Sequence, residues 1–129
     1  MNQESKRRTI GYARVAAADD RSLDRQAQAL GEVDLLFAET AAGTATAARP
    51  ELERLLGQLR EGDVVRTFSA DRLARSPRAL LDVVERIEAS GARLEIVDMP
   101  DADLCTAAAQ QQLALLASFA SAELPFGPR

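Results

Sequence analysis

Short apolar segments typical of strands alternate along this chain with segments whose apolar residues recur at helical spacing. The predicted strands take residues 8–15, 35–37, 63–68 and 92–98. Strands that are joined through helices pair in parallel and place those helices on the faces of the sheet. The alternation therefore predicts an α/β fold, a mostly parallel sheet of about four to five strands with helices on both faces.

The predicted helices have recognisable start and stop residues. Three internal helices are predicted, from Ser22 to about Gly31, from Pro50 to Gly62, and from Ser76-Pro77 to Gly91. A long final helix is predicted from about Leu104 to Leu124, where Pro125 breaks it. Residues 39–48, rich in Ala, Thr and Gly, are expected to form a long mobile loop.

Size and composition restrict the class of protein. A chain of 129 residues suits one domain with one core. The single cysteine, Cys105, excludes an internal disulfide, and the absence of histidine argues against a zinc site. No apolar run is long enough for a bilayer and no signal peptide is recognisable, so a cytoplasmic protein is expected. The net charge of −4 argues against coating DNA by bulk electrostatics.

Charged residues follow the carboxyl ends of the predicted strands, where ligands bind in open α/β sheets. Arg14, together with the uncharged Ala16, closes the first strand, Glu39 and the loop to Arg49 follow the second, and Asp71, Arg72 and Arg75 follow the third. Tyr12, Arg14 and Ala16 share strand parity and are expected on one side. Arg72 and Arg75, three apart, are expected to share one face of a helical turn.

Clustered arginines repel one another and are stabilised by an anionic ligand, such as a phosphodiester in its transition state. Asp71 is expected to pair with an arginine in the empty site. The alternative is that these arginines are surface residues in ion pairs, each of small energetic value.

Five segments, in this order and spacing, resemble the catalytic domain of the serine recombinases, the resolvase/invertase family. They are Gly11-Tyr12-Ala13-Arg14-Val15, Ser22-Leu23-Asp24-Arg25-Gln26, Arg49-Pro50-Glu51-Leu52, Gly62-Asp63-Val64 and Asp71-Arg72-Leu73-Ala74-Arg75-Ser76. The resemblance covers nearly the whole chain up to the last helix.

The resemblance implies a mechanism of DNA phosphodiester strand exchange. A serine after the first strand attacks the phosphate, forms a phosphoserine link, and subunits of a tetramer exchange strands without metal or cofactor. The residues matched to catalytic positions are Arg14, Arg49, Asp71, Arg72 and Arg75, with Tyr12, Gln26 and Glu39 as accessory residues lining the site. In this reading the arginines neutralise the phosphate and Asp71 orients an arginine or assists proton transfer.

The chain departs from the family at the nucleophile. The serine position holds Ala16, and Ala17 and Ala18 follow, so a small shift in alignment still places alanine there. Ser22 matches the helix-start serine and suits an N-cap better than a nucleophile. Without an oxygen nucleophile, covalent catalysis has no first step, and the chain is expected to be inactive or impaired.

The resemblance also divides the chain. Residues 1–124 match the catalytic domain, with 1–7 as a flexible tail, 104–124 as a candidate dimerisation helix and 125–129 as a tail. The family's helix-turn-helix DNA-binding domain is expected to be absent. The expected partners are the DNA phosphate backbone and other subunits, in a homodimer, a tetramer or a heterodimer with an active recombinase, and not a membrane.

Three functions stay open at the level of sequence. The first is a recombinase catalytic domain impaired by Ala16, and the second is a non-enzymatic pseudo-recombinase that dimerises with an active relative. The third, a generic phosphate- or nucleotide-binding domain, lacks a Gly-rich phosphate loop. An engineered domain, a truncated relic and a maintained pseudo-enzyme all fit the sequence.

Overall fold

A computed structural model describes residues 7–15, 20–40 and 50–123, with the backbone alone for 20–22 and 119–123. Within these ranges the strands are β1 (Thr9–Val15), β2 (Leu35–Thr40), β3 (Val64–Thr67) and β4 (Arg93–Ile96). The helices are α1 (Asp20–Leu30), α2 (Pro50–Gly57), α3 (Ala70–Leu73), α4 (Pro77–Ala89) and α5 (Ala107–Glu123). The strands form one four-stranded sheet in the order β2-β1-β3-β4, and every pairing is parallel. The predicted α/β architecture is confirmed.

The two faces of the sheet are covered by different helices. Gly11 lies on the α1 face, where an added Cβ would come within 3.0 Å of Leu30 Cδ1, so the glycine lets α1 approach the strand closely. The opposite face carries the core, in which Ile10, Tyr12 and Val65 pack against residues of α2, α4 and α5. Helices therefore lie on both faces, as the sequence predicts.

Strand β2 is longer than predicted. It continues from Leu35 to Thr40, so Glu39 belongs to the strand and the expectation of a loop beginning at residue 39 is wrong. Parallel pairing with β1 extends to Thr40 opposite Val15, which satisfies the backbone of those residues. The remainder of the predicted loop, 41–48, lies outside the described residues.

Helix α2 is shorter than predicted. It ends at Gly57, not at Gly62, which lies in a turn with φ of 90°. The carboxylate of Asp63 accepts the Arg60 N–H at 2.8 Å, a donor that a longer helix would direct to the backbone. Arg8 binds the same carboxylate from the start of β1, at 2.7 and 3.1 Å. The segment between α2 and β3 is thus a turn organised by Asp63.

Two helices, α3 and α4, follow β3. The four-residue helix α3 is not predicted from the sequence, because one turn carries no hydrophobic periodicity. The N-cap prediction for the following helix is confirmed, since Ser76 Oγ accepts the Ala79 N–H at 3.1 Å and Pro77 occupies the first helical position. Helix α4 ends at Ala89, just before Gly91.

The last helix packs on α4 along a narrow stripe. Leu113 and Ala117 are buried, whereas Leu115 is 70% and Leu116 is 52% exposed. The helix begins at Ala107 and not near Leu104, because Thr106 Oγ1 accepts the Ala109 N–H and caps it. Among the described helices, none is both long and apolar enough to cross a bilayer. An apolar surface of α5 is left in solvent.

Candidate phosphate site at the carboxyl ends of the strands

The order of the strands creates a crevice between β1 and β3. The chain passes from β1 to β2 on one side, then crosses back to place β3 on the other side of β1. Such a reversal separates the connections at the carboxyl ends and is where open α/β sheets bind ligands. The pairing of β1 with β3 ends at Tyr12 opposite Thr67, so three further residues of β1 extend past β3. The predicted site residue Arg14 lies in this extension.

The backbone of Arg14 is held by side chains from two other elements. Gln26 of α1 accepts the Arg14 N–H at 3.1 Å and donates its Nε2–H to the Arg14 carbonyl at 2.9 Å. Arg72 of α3 donates from Nη1 to the same carbonyl at 3.4 Å. The structure therefore brings Arg14, Gln26 and Arg72 together, as the sequence predicts for residues after strands one and three.

The side chain of Arg14 is half-buried and has an unused donor. Its Nε is buried and has no hydrogen-bond acceptor among the described residues. A buried charged donor without an acceptor is costly, so the arrangement is suited to an anion that supplies the acceptor. Because the Arg72 guanidinium donates to the Arg14 carbonyl, two cationic residues are neighbours at the carboxyl end of β1.

Asp71 and Arg75 do not join this cluster. Asp71 is exposed and its carboxylate accepts a hydrogen bond from Ser69 Oγ, and it takes part in none of the ion pairs of the described region. The expected Asp71–arginine pair is therefore not formed there. Arg75 is exposed as well.

The expectation that Arg72 and Arg75 share one face of a helical turn is wrong. Helix α3 ends at Leu73, and Ala74 is extended with φ of −157°. The single turn of α3 is closed by two hydrogen bonds, from the Arg72 N–H to the Ser69 carbonyl and from the Ala74 N–H to the Ala70 carbonyl. The chain is then extended at Ala74, so Arg75 does not continue the helical turn. Arg72 is half-buried at the crevice and Arg75 faces solvent.

Tyr12 and Glu39 form a second, fully interior arrangement beside the cluster. The Tyr12 hydroxyl donates to Glu39 Oε1 at 2.8 Å, and both residues are buried. Glu39 also accepts the N–H groups of Glu51 and Leu52, both at 3.1 Å. Those groups are free donors of the first turn of α2, so Glu39 caps that helix from the neighbouring strand.

This capping role carries a sequence signal that the predictions did not use. Pro50 opens α2, yet the preceding residue is Arg49, which is not an N-cap residue type. A helix start without a local cap indicates that an acceptor comes from elsewhere. Arg49 and Ala16, two predicted site positions, lie outside the described residues.

Thr67 is a residue of this region that sequence reasoning missed. It is fully buried at the end of β3, and its Oγ1 donates to the Tyr12 carbonyl at 3.0 Å. Threonine is common in strands, so its identity gives no signal of a special contact. In the described ranges, no cluster of His, Cys, Asp and Glu is suited to a metal ion.

Together these features define an α/β domain in which two arginines, Arg14 and Arg72, lie at the point where the strand order reverses. The family profile described as "Resolvase, N terminal domain" matches residues 9–126. The chain belongs to the resolvase family.

Individual relatives agree with this assignment. The chain is 42% identical over 81 residues to the transposon Tn917 resolvase of Enterococcus faecalis, covering 61% of this chain and 43% of the relative. It is 40% identical over 88 residues to the transposon Tn501 resolvase of Pseudomonas aeruginosa, covering 68% and 46%. An integrase-like protein of Sinorhizobium fredii, y4lS, is 35% identical over 116 residues, covering 88% and 62%. The chain thus spans less than half the length of the two transposon resolvases.

Solved structures share the fold. A resolvase family site-specific recombinase from Streptococcus pneumoniae superposes with a TM-score of 0.79 at 17% identity, covering 94% of this chain and 92% of that one. The N-terminal catalytic domain of TP901-1 integrase gives a TM-score of 0.65 at 22% identity, covering 94% and 98%.

Proposed function

We propose that this chain is the catalytic-domain part of a site-specific DNA recombinase that binds a backbone phosphate through its arginines and is impaired in strand cleavage. The observation that carries the proposal is the hydrogen bond from Arg72 to the Arg14 carbonyl at the switch-point crevice, together with a buried Arg14 Nε that has no acceptor in the part of the chain that the structure describes. A DNA phosphate offers the charged acceptor oxygens that such guanidinium groups need.

The impairment follows from the residue next to β1. Ala16 comes directly after Val15, at the position where the family's serine attacks the phosphorus. A methyl group offers no lone pair, so the covalent intermediate that conserves the phosphodiester bond energy is not formed. We assign Arg49, Asp71 and Arg75 to the DNA-bound site by resemblance, and place residues 1–124 in one catalytic domain.

Phosphate binding is tested by NMR titration with a short duplex of arbitrary sequence, following backbone and arginine Nε–Hε signals at low salt. We expect the largest shifts at Arg14 and Arg72. Arg14→Gln weakens binding by about tenfold or more, because one charge-assisted contact is lost. The matched control is Arg93→Gln, an exposed arginine on the outer strand β4, which changes affinity by about twofold at most. Equal losses in the two variants would refute a localised site.

Cleavage is tested separately with Ala16→Ser and the parent chain on supercoiled and nicked DNA. We expect a covalent protein–DNA adduct on denaturing gels with Ala16→Ser and none with the parent. Strand exchange by the chain with Ala16 in place would overturn the proposed impairment.

A second candidate function is a non-enzymatic subunit that modulates an active recombinase. Its support is the apolar surface at Leu115 and Leu116 of α5, which intramolecular packing leaves exposed. Mixing the chain with an active resolvase distinguishes the two proposals: mixed dimers with lost recombination favour the modulator, and unchanged activity at excess chain excludes it.

A further inference from the structure

The side-chain amide of Gln26 bonds to both backbone polar groups of Arg14, as a neighbouring strand would. We infer that Gln26 is a positioning residue, which holds the end of β1 so that the Arg14 guanidinium enters the crevice in one orientation. This inference deepens the proposed function and rests on Arg14 as a phosphate ligand. It assigns Gln26 a role exerted through the backbone of another residue.

The need for such a residue follows from the register of the sheet. Alternate residues along β1 and just before it direct their N–H and C=O groups to β3: the carbonyl of Arg8, which precedes β1, accepts the Val64 N–H at 2.8 Å, and the Tyr12 carbonyl accepts from Thr67 Oγ1. The next residue in this alternation is Arg14, where β3 has already ended. Buried backbone groups require partners, and the Gln26 amide supplies one donor and one acceptor.

Helix α1 is itself fixed, which makes the Gln26 contact a rigid one. Gln26 is 6% exposed, while its neighbours Asp24 and Arg25 face solvent. Leu30, one turn later, is buried against Gly11. Arg66 of β3 donates to the Leu30 carbonyl at 2.8 Å and so closes the end of the helix. The Gln26 side-chain amide therefore comes from a helix that contacts both β1 and β3.

Fixing the Arg14 backbone has a direct effect on the site. The same Arg14 carbonyl that accepts from Gln26 also accepts from Arg72, so Arg72 is held against the backbone from which the Arg14 side chain extends. Ala16, at the nucleophile position, lies two residues further along the chain. Preorganised cationic groups bind a developing charge more strongly than mobile ones, since no ordering is required on binding.

The test compares Gln26→Leu with Gln110→Leu. Gln110 also donates to a backbone carbonyl, that of Cys105, but lies on α5 away from the crevice. Amide hydrogen exchange is recorded without DNA. Each of the two hydrogen bonds that Gln26→Leu removes is expected to slow the exchange of the Arg14 amide by about tenfold. We therefore expect this amide to exchange about 100-fold faster in Gln26→Leu than in the parent chain. Gln110→Leu leaves it unchanged. Unchanged protection of Arg14 in Gln26→Leu would overturn the inference.

A second variant, Gln26→Glu, separates the two hydrogen bonds and serves if the leucine variant does not fold. Its carboxylate still accepts the Arg14 N–H but no longer donates to the carbonyl. We expect the Arg14 amide to stay protected while the Arg14 carbonyl ¹³C signal shifts. An unshifted carbonyl would show that no donor from Gln26 acts there and would equally refute the assignment.

The functional arm measures affinity for the short duplex used above. Gln26→Leu is expected to bind about tenfold more weakly although it removes no charge, and Gln110→Leu to bind as the parent does. Equal affinity of Gln26→Leu and parent contradicts a positioning role. If the parent itself does not bind through Arg14, the proposed function fails, whereas the exchange data still decide whether Gln26 holds the Arg14 backbone.

Discussion

Replacing Glu39 by alanine should destabilise the domain far more than its chemical type suggests, because three donors converge on its carboxylate. Those donors are the Tyr12 hydroxyl and the N–H groups of Glu51 and Leu52. Glu39 is 4% exposed and Tyr12 fully buried, so water does not readily replace the lost acceptor. A surface glutamate on a strand would cost little to remove.

The magnitude follows from the three contacts. Each buried donor left without an acceptor costs about 1 kcal/mol at the lower end of the usual range, and loss of a helix N-cap has a similar cost. Glu39→Ala is therefore expected to lower the free energy of unfolding by about 3 kcal/mol. Tyr12→Phe removes one donor and leaves two, so its expected cost is about 1 kcal/mol.

Urea unfolding at neutral pH, followed by far-ultraviolet circular dichroism, measures these changes. In the double variant Glu39→Ala with Tyr12→Phe, the hydroxyl that would lack an acceptor is itself removed. The loss of unfolding free energy in the double variant should therefore be smaller than the sum of the two single losses by about 1 kcal/mol. The control is Glu53→Ala, on the exposed face of α2, where the pair with Arg86 is surface-exposed and a change below about 0.5 kcal/mol is expected. Strictly additive costs, or a Glu39→Ala cost no larger than that of the control, would refute the capping role.

Two further predictions concern stability. Burial tends to raise the pKa of Asp63, but the hydrogen bonds from Arg8 and the Arg60 N–H outweigh it and hold the pKa below its ordinary value of 3.8. The stabilisation by Asp63 is therefore complete above pH 3.8 and is lost as the pH falls through the lower pKa of the folded state. Asp63→Asn should reduce this loss of stability in acid, measured as the urea midpoint against pH. An unchanged pH dependence in the variant would contradict the linkage. Gly91→Ala should cost about 1–3 kcal/mol, because φ is 81° and the new Cβ would lie 3.1 Å from Glu61 Cα. Gly57→Ala, with free space around it at the end of α2, should be neutral or stabilising in the same unfolding assay.

The architecture was predictable because strand composition and helical spacing act locally. The alternation of periods predicts the parallel sheet, and the pair Ser76-Pro77 predicts the start of α4, since the N-cap and the first helical position are chemically distinctive. The end of α2 was not predictable in this way. Its early stop depends on the carboxylate of Asp63, which accepts the nearby Arg60 N–H and is bound by Arg8, a partner that only the folded sheet brings to it.

The site was predictable to the level of position and not of contact. The rule that ligands bind at the carboxyl ends of strands places Arg14 and Arg72 together, and in the structure Arg72 donates a hydrogen bond to the Arg14 carbonyl. The rule does not distinguish Arg72 from Arg75, because the direction of each depends on the extended residue Ala74 between them. The rule also does not show that the Glu39 carboxylate accepts the N–H groups at the start of a helix and does not bind a ligand, since a carboxylate at a strand end is suited to either partner.

The central place of β1 in the sheet has a consequence for folding during synthesis. Strand β1 pairs on one side with β2, but its other neighbour, β3, is encoded 55 residues later, as the Tyr12–Thr67 contact shows. The edge of β1 that later pairs with β3 is therefore unpaired until the β3 segment emerges from the ribosome. Long-range parallel pairing of this kind is slow. Co-translational aggregation or chaperone capture is accordingly expected in the interval between the synthesis of the second and third strands.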